Sequence, residues 1–285
     1  AEEGEILGGT FGSRGLVGRV NFDGPAMEKL LLKLGLDPQA AKRTKLDSEN
    51  TKCYLELHIE QGGVLEESSI PIGIVTGIVH TMRFKISVEG AANHAGTTPM
   101  QARDDALVKA SRLINWVHDF SLEKGEGFVG TVGKIRVLPG AINVIPGEVH
   151  LYIEFRCIDE EKLRRAGMEI RDFARQLAKT KIRYVKKNRG ISLNKRLQKM
   201  IENSCRELDL AYKYMPSGAG HDAASMGQVV PSAMIFIPSV GGISHNKDEL
   251  SRWDDVEHGA NVLLHTLLSL QTNPDQVLSG ADGHC

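Results

Sequence analysis

The middle of the chain most strongly constrains the fold, because six segments with clear periodicity follow one another there in a defined order. Alternating apolar and polar residues indicate half-buried strands, and apolar residues three and four positions apart indicate helices. On this basis we predict strand, helix, strand, strand, helix and strand over residues 83–90, 104–123, 128–138, 147–157, 159–180 and 181–188. This is the order of ferredoxin-like domains, in which two helices cover one face of a four-stranded antiparallel sheet.

The two ends of the chain have a different character. Helical segments lie there beside short apolar strands such as 52–60 and 232–239, which favours a layered α/β domain. The simplest architecture is an α/β domain formed by residues 1–79 and 191–285, interrupted by an inserted α+β domain over 80–190. Within the insert, Asp159 is the predicted N-cap of the second helix.

Composition argues against several classes of partner. The 285 residues carry a net charge of -1, and no basic stripe is interleaved with aromatic residues, so neither nucleic acid nor an anionic membrane surface is indicated. No apolar run approaches the roughly 18 residues of a membrane-spanning helix. The cysteines at 53, 157, 205 and 285 form no CxxC pair, which is typical of free thiols in a reducing compartment, and we expect a cytoplasmic protein.

Ionisable residues in the first part of the chain form two candidate clusters. Glu2 and Glu3 are adjacent in AEEG, a pattern that is usually only solvated charge. His58 lies in ELHIEQGG, where strand alternation places it on the same face as Glu56 and Glu60. Such a face is either ordinary surface or part of a site.

Further candidate histidines stand next to small residues. His94 lies in NHAGTTP, after a predicted strand, while His221 and Asp222 lie in SGAGHDA and His245 in GGISHN. Small neighbours let the backbone approach a ligand closely. Histidine and glutamate on separate strand-end loops suit a borderline metal such as Zn²⁺, although the chain has no short HExxH-type signature and His245 is equally compatible with plain surface.

Six segments considered together resemble one family: AEEG, ELHIEQGGVLE, NHAGTTPM with RDDAL, AINVIPG, SGAGHDA and GGISHN. They are similar to the N-carbamoyl-L-amino-acid hydrolases and allantoate amidohydrolases of the dizinc aminopeptidase-like clan. The resemblance covers nearly the whole chain. It implies a catalytic α/β domain, an inserted lid through which a homodimer forms, and two divalent metal ions, either Zn or Mn/Co.

The resemblance also implies metal and proton-transfer roles for single residues. Glu3 resembles the metal-binding glutamate, and Glu2 before it resembles the general base. His58 and His245 are similar to two further metal ligands. This hypothesis requires the acidic pair and both imidazoles to converge on a shared metal site.

Other residues resemble the groups that contact substrate in the family. His94, Asn143 in AINVIPG and Arg156 in EFRC are similar to substrate-binding residues of the lid, with His94 also catalytic. His221 resembles a catalytic residue that stabilises the oxyanion or the substrate amide. The planar guanidinium of Arg156 can bind a substrate carboxylate through two hydrogen bonds.

Two features depart from the family pattern. The upstream histidine motif and the metal-bridging aspartate have no counterpart, since Asp23 follows the AEEG motif rather than preceding it. Because the chain also starts without an initiator Met, we expect that it lacks its N-terminal portion and that this piece alone binds metal weakly and is inactive. The residues His80-Thr81-Met82 replace a Gly-Gln-Arg found in many relatives, which leaves the identity of the substrate open.

The sequence therefore predicts a metal-dependent amidohydrolase. It would cleave a linear amide C–N bond of an N-carbamoyl-L-amino acid or a related ureido acid such as allantoate, and release ammonia and CO₂. Two alternatives stay open: an aminoacylase or dipeptidase that acts on acyl groups, and a non-catalytic dimeric scaffold that has lost the metal site.

Overall fold

The computed structural model describes residues 9–177 and 179–272, apart from the side chains of residues 186 and 187. The strands are β1 (Tyr54–Ile59), β2 (Ile72–Ile78), β3 (His80–Glu89), β4 (Phe128–Leu138), β5 (Glu148–Cys157), β6 (Thr180–Asn188), β7 (Ile191–Ser192), β8 (Tyr212–Ser217) and β9 (Ser232–Ile237). The helices are α1 (Phe11–Leu16), α2 (Pro25–Lys33), α3 (Pro38–Arg43), α4 (Val64–Glu67), α5 (Ala106–Lys124), α6 (Glu160–Gln176), α7 (Lys195–Glu207), α8 (Ala223–Met226) and α9 (Trp253–Thr272), with two short 3₁₀ turns at Met100–Ala102 and Val240–Gly242. The predicted mixed α/β class is confirmed.

The chain divides into two compact units. Among the described residues, those up to Ile78 and from Ile191 onward form what we call the split unit, and those between Val79 and Gly190 form the inserted unit. The predicted boundary at 79/80 lies one residue after this division, and the predicted boundary at 190/191 coincides with it. None of the helices among the described residues is both long and apolar enough to cross a membrane.

The inserted unit contains a four-stranded antiparallel sheet in the order β4-β5-β3-β6. Every second residue of β5 is buried, so one face of the sheet is apolar. Both α5 and α6 cover that face, and their apolar side chains join the strands in one core around Phe84 and Phe155. Burial of this single core holds the unit together.

The split unit has a sheet in the order β1-β9-β2-β7, with β8 paired to β2. Strand β9 is buried along its whole length, as expected for a strand that is covered on both faces. Helices α7 and α9 supply Leu197 and Val262 to the core on one face, while α4 and α8 supply Leu65 and Ala223 on the other. The sheet thus lies between two helical layers.

Side-chain caps explain where α5, α6 and α7 begin. Asp105 accepts hydrogen bonds from the N–H groups at the start of α5, and Asn194 does the same for α7. The predicted N-cap Asp159 is confirmed, since its carboxylate accepts from the Lys162 N–H at 2.9 Å. Each cap satisfies backbone donors that a helix start leaves without a partner inside the helix.

A buried carboxylate ties α7 to β8. Glu202 is 6% exposed and accepts hydrogen bonds from the hydroxyls of Tyr212 at 2.9 Å and Tyr214 at 2.7 Å. Lys199 lies 2.9 Å away, and Arg206 pairs with the same oxygen. The hydrogen bond from Lys199, then that from Tyr214, lowers the pKa of Glu202 from 4.5 to about 2.

We expect Glu202→Gln to reduce the free energy of unfolding at neutral pH by about 2 kcal/mol, because charged hydrogen bonds are replaced by weaker neutral ones. A lowered folded-state pKa stabilises the protein above the unfolded-state value and ceases to do so as the carboxylate is protonated. The difference between wild type and variant should therefore shrink from about pH 5 to about pH 2. Urea denaturation across this range measures it. The matched control is Glu207→Gln on the same helix, where the side chain is 67% exposed; an equal effect there would contradict the prediction.

Candidate metal centre

Strand β1 and the start of α8 bring three metal-binding side chains together. One possible ligand atom from each of Glu56, His58 and His221 lies within 4.8 Å of the others. Glu56 and His58 are two residues apart on β1 and so share a face. His221 lies just before α8, and α8 packs against the strands β1 and β9.

Hydrogen bonds orient Glu56 and His58. The Nδ1 of His58 lies 2.8 Å from the Ile59 carbonyl oxygen, so a proton on Nδ1 leaves the lone pair on Nε2. The Oε2 of Glu56 accepts from the Ala223 N–H at 2.8 Å and from the Tyr54 hydroxyl at 3.2 Å. Partners of this kind hold metal ligands in a fixed orientation.

His221 is buried, and each of its ring nitrogens has a polar neighbour. Its Nε2 lies 2.8 Å from the Ser217 hydroxyl, and its Nδ1 lies 3.6 Å from Oε1 of Glu56. The ring is 3% exposed and lies 4.5 Å, centroid to centroid, from that of His58. Burial, with a smaller contribution from His58, lowers the pKa of His221 to about 3, so the ring is neutral near pH 7.

The contact between His221 and Glu56 is chemically informative. Ser217 can donate its proton to the Ala219 carbonyl, in which case it accepts from Nε2 of His221 and leaves the lone pair on Nδ1. That lone pair then faces a carboxylate, an arrangement which needs a proton or a cation between the two groups. Burial also raises the pKa of Glu56, which means that a negative charge there is poorly compensated by the protein alone. The donor set therefore fits a divalent cation.

His245 lies near the end of β1 but outside this three-residue group. Its Nε2 is 3.4 Å from Nε2 of Gln61, and its N–H donates to Glu249 at 3.0 Å. His245 and Gln61 both have positive φ, 55° and 60°, although neither is glycine. Sparsely populated backbone conformations of this kind concentrate at functional sites.

The other predicted residues fall in two places. Glu2 and Glu3 lie outside the described residues, so their convergence with His58 and His245 stays a prediction. In the inserted unit, His94 forms an antiparallel bridge with Val144, and Asn143 accepts from the Ala95 N–H at 2.9 Å. The structure thus brings the His94 and Asn143 segments together.

Arg156 lies on β5 of the inserted unit, where its Nε is 2.5 Å from Oε1 of Glu154. Glu154 also pairs with Arg83 on β3. The guanidinium of Arg156 is therefore held by a carboxylate of its own strand. A substrate carboxylate would bind here in competition with Glu154 or beside it.

For two members of the site, Glu56 and Ser217, the sequence patterns predict no role. Glu56 was noted only as a neighbour of His58, and Ser217 not at all. The alternation in ELHIEQGG carried the signal for Glu56, since every second residue of a strand faces the same way. For Ser217 the only signal was its position four residues before His221 in SGAGHDA.

Comparison with known proteins identifies the family. The model of the peptidase family M20/M25/M40 matches residues 1–269. The N-carbamoyl-L-amino acid amidohydrolase of Geobacillus stearothermophilus is 34% identical over 283 residues, which cover 92% of this chain and 67% of that protein. The allantoate amidohydrolase of Escherichia coli is 35% identical over 227 residues, covering 78% and 55% respectively.

Solved structures agree with this. The crystal structure of an amidase of the hydantoinase/carbamoylase family from Burkholderia multivorans has a TM-score of 0.85 and 31% identity, over 94% of this chain and 68% of that one. The chain spans about two thirds of the length of several curated relatives that it matches, 66% in two of them. The chain belongs to the peptidase family M20/M25/M40, and its resemblance to the carbamoyl amino acid and allantoate amidohydrolases is confirmed.

Proposed function

We propose that the protein carrying this chain is a metal-dependent amidohydrolase. It cleaves a linear amide C–N bond of an N-carbamoyl-L-amino acid or a related ureido acid and releases ammonia and CO₂. The observation that carries the proposal is the group of Glu56, His58 and His221. It occurs in a chain whose relatives are named N-carbamoyl-L-amino acid amidohydrolase, allantoate amidohydrolase and ureidoglycolate hydrolase.

Two imidazoles and a carboxylate are ligands that suit Zn²⁺, and they also bind Mn²⁺ or Co²⁺. We infer a site for two such ions, held by His58 together with Glu56 or His221 and with the predicted ligands Glu3 and His245. When bound, the ions supply Lewis acidity to the scissile carbonyl. The positive φ of His245 and its contact with Gln61 support its inclusion.

The protein's own groups handle the protons. In the proposed reaction Glu2 takes a proton from the attacking water and returns it to the leaving nitrogen. His221 is engaged at Nε2 by Ser217 and faces Glu56 with Nδ1. These contacts favour a role in binding the cation or orienting Glu56 over the predicted direct contact with the oxyanion.

We infer that the inserted unit is a ferredoxin-like lid that binds the substrate. Its strand order and its paired His94 and Asn143 segments support this assignment. Arg156 would hold the substrate carboxylate through its planar guanidinium. Homodimerisation through this unit is part of the proposal, and the edge strand β4, with Val129 and Ile135 exposed, supports it.

The test uses the full-length protein that contains this chain. We expect ammonia release from N-carbamoyl-L-amino acids, complete loss of turnover after treatment with a chelator, and recovery when Zn²⁺, Mn²⁺ or Co²⁺ is added back. N-acetyl amino acids, assayed side by side, should react more slowly. Faster N-acetyl hydrolysis would favour the aminoacylase or dipeptidase alternative. Turnover that persists in chelator would remove the metal from the proposal, and a folded protein without any turnover would support the scaffold alternative.

A further inference from the structure

The loop formed by residues 91–99, which we call the His94 loop, has a tightly specified backbone. The Ala95 N–H donates to Asn143 O at 2.9 Å, and the Ile145 N–H donates to Asn93 O at 2.8 Å. The Thr98 hydroxyl closes the loop by donating to the His94 carbonyl, also at 2.8 Å. His94 therefore projects from a backbone that is fixed on both sides.

One hydrogen bond determines which nitrogen of His94 carries the proton. The Gly96 N–H donates to Nδ1 of His94 at 3.0 Å. A backbone N–H can only donate, so Nδ1 has to hold the lone pair. The proton of the neutral ring is then on Nε2, and the exposed side chain of His94 offers an N–H donor.

Arg103 holds the peptide that makes this hydrogen bond. Its guanidinium is half-buried, and it donates from Nη2 to Ala95 O and from Nε to Thr98 O, the latter at 3.1 Å. Ala95 O and Gly96 N belong to one planar peptide unit, so a cation fixed at the carbonyl end sets the direction of the N–H at the other end. A charge-assisted hydrogen bond to the carbonyl also polarises the unit and strengthens that N–H as a donor.

We propose that Arg103 is a positioning residue that sets the tautomer of His94 through the Ala95–Gly96 peptide. It keeps the imidazole proton on Nε2, where it can be donated to an oxygen that gains negative charge during the reaction. Only the identity of that oxygen, the carbamoyl oxygen of the substrate, rests on the proposed function. The relay from Arg103 to His94 is a property of this chain and can be tested without turnover.

The test is two-bond ¹H–¹⁵N NMR of the chain at about pH 9, above the ordinary histidine pKa of about 6.5. His94→Gln identifies the signals of His94 among those of the other histidines. In the wild type we expect an unprotonated Nδ1 and a protonated Nε2. In Arg103→Gln we expect the ¹⁵N chemical shifts of Nδ1 and Nε2 to approach the averaged values of a mixture of the two tautomers.

Two further variants test separate parts of the relay from Arg103 to His94. Arg103→Lys keeps the charge but lacks the planar fork that reaches two carbonyls, so it should also lose the tautomer preference. Gly96→Ala keeps Arg103 but places a Cβ 3.2 Å from Cε1 of His94, and should displace the ring with the same spectral result. The control is Arg175→Gln, which removes an exposed guanidinium paired with Asp172 at 3.0 Å in the same unit and should change nothing.

A wild-type pattern in folded Arg103→Gln or Arg103→Lys overturns the inference, and if the glutamine variant does not fold, the lysine variant decides. In the full-length enzyme the same variants should lower kcat/KM by about tenfold or more, chiefly through kcat, as expected for weakening one oxyanion donor. A tautomer change in a protein that does not hydrolyse carbamoyl compounds would leave the relay intact and remove only the proposed function.

Discussion

Replacing His58 with glutamine is expected to abolish tight metal binding and to lower kcat/KM by about a thousandfold or more. Loss of an outer partner of a metal ligand typically costs about 10–100-fold, and loss of a ligand itself should cost more. Glutamine lacks the imidazole lone pair that the hydrogen bond from Nδ1 to Ile59 O leaves on Nε2 of His58. The free energy of unfolding should change little, because the His58 side chain is only half-buried.

The measurement is metal content by mass spectrometry after dialysis of the full-length protein, combined with turnover and a thermal melt. His118→Gln is the matched control, since His118 is an exposed residue of α5 in the other unit. It should keep both metal and activity. Unchanged metal content in His58→Gln would show that the group of Glu56, His58 and His221 is not the metal centre.

A second variant at the same site separates charge from hydrogen bonding. Glu56→Gln keeps an oxygen that can accept from the Ala223 N–H, now 2.8 Å from Oε2, but removes the negative charge. If the carboxylate is a ligand, this variant loses metal although its fold is intact. If Glu56 serves only to hold α8 in place, its metal content stays at the wild-type level.

The strands and helices of the inserted unit could be predicted because the alternation of apolar and polar residues within each segment is a local pattern. The six predicted segments correspond to β3, α5, β4, β5, α6 and β6, and each of them contributes side chains to one apolar core or packs against it. The first strand starts three residues earlier than predicted, at His80, which pairs with Cys157. Those extra residues are held by their partners on β5 and do not alternate, so no sequence pattern marks them.

Strand β8 was not predicted, and the reason is physical. Its sequence, YKYMPS, has no clear alternation and contains Pro216, which lacks a backbone donor. It pairs only with β2, at the edge of the described sheet, where a proline can be tolerated. Pairing with β2, rather than any intrinsic preference, makes this segment a strand.

The candidate metal centre could be predicted only in part from the sequence, for a related reason. The sequence indicates His58 and His221 separately. The hydrogen bond that links their two segments, from the Ala223 N–H to the Glu56 carboxylate, joins residues that are 167 positions apart. Their meeting depends on the order of β1, β9 and β2 in the sheet, which local periodicity does not encode. The partners Ile59 and Ser217 are local, one and four residues from the histidines they contact, so the long-range packing of β1 and α8 is what the sequence pattern does not show.

That packing sets the second large effect, which we expect from Gly259→Val in α9. A Cβ at position 259 would lie 2.6 Å from Cγ2 of Ile237 and 2.7 Å from Cδ1 of Leu57, both in the sheet. Helical glycine is about 1 kcal/mol less favourable than alanine, yet the close approach of α9 to β1 and β9 leaves no room for a methyl group. Overpacking costs about 1–3 kcal/mol even for small additions, so valine should cost about 3 kcal/mol or more in urea denaturation.

The same variant should also weaken metal binding, because Leu57 and His58 are neighbours on β1. A valine that pushes β1 away from α9 moves His58 relative to His221, whose ring is now 4.5 Å away, and metal affinity should fall together with stability. Ala260→Val is the control, as Ala260 is the next residue of the same helix and is exposed. It should cost less than about 1 kcal/mol, the propensity difference of a β-branched residue in a helix. Equal losses from the two valine variants would mean that helix propensity, and not the fit of α9 against the strand that carries His58, sets the stability of this unit.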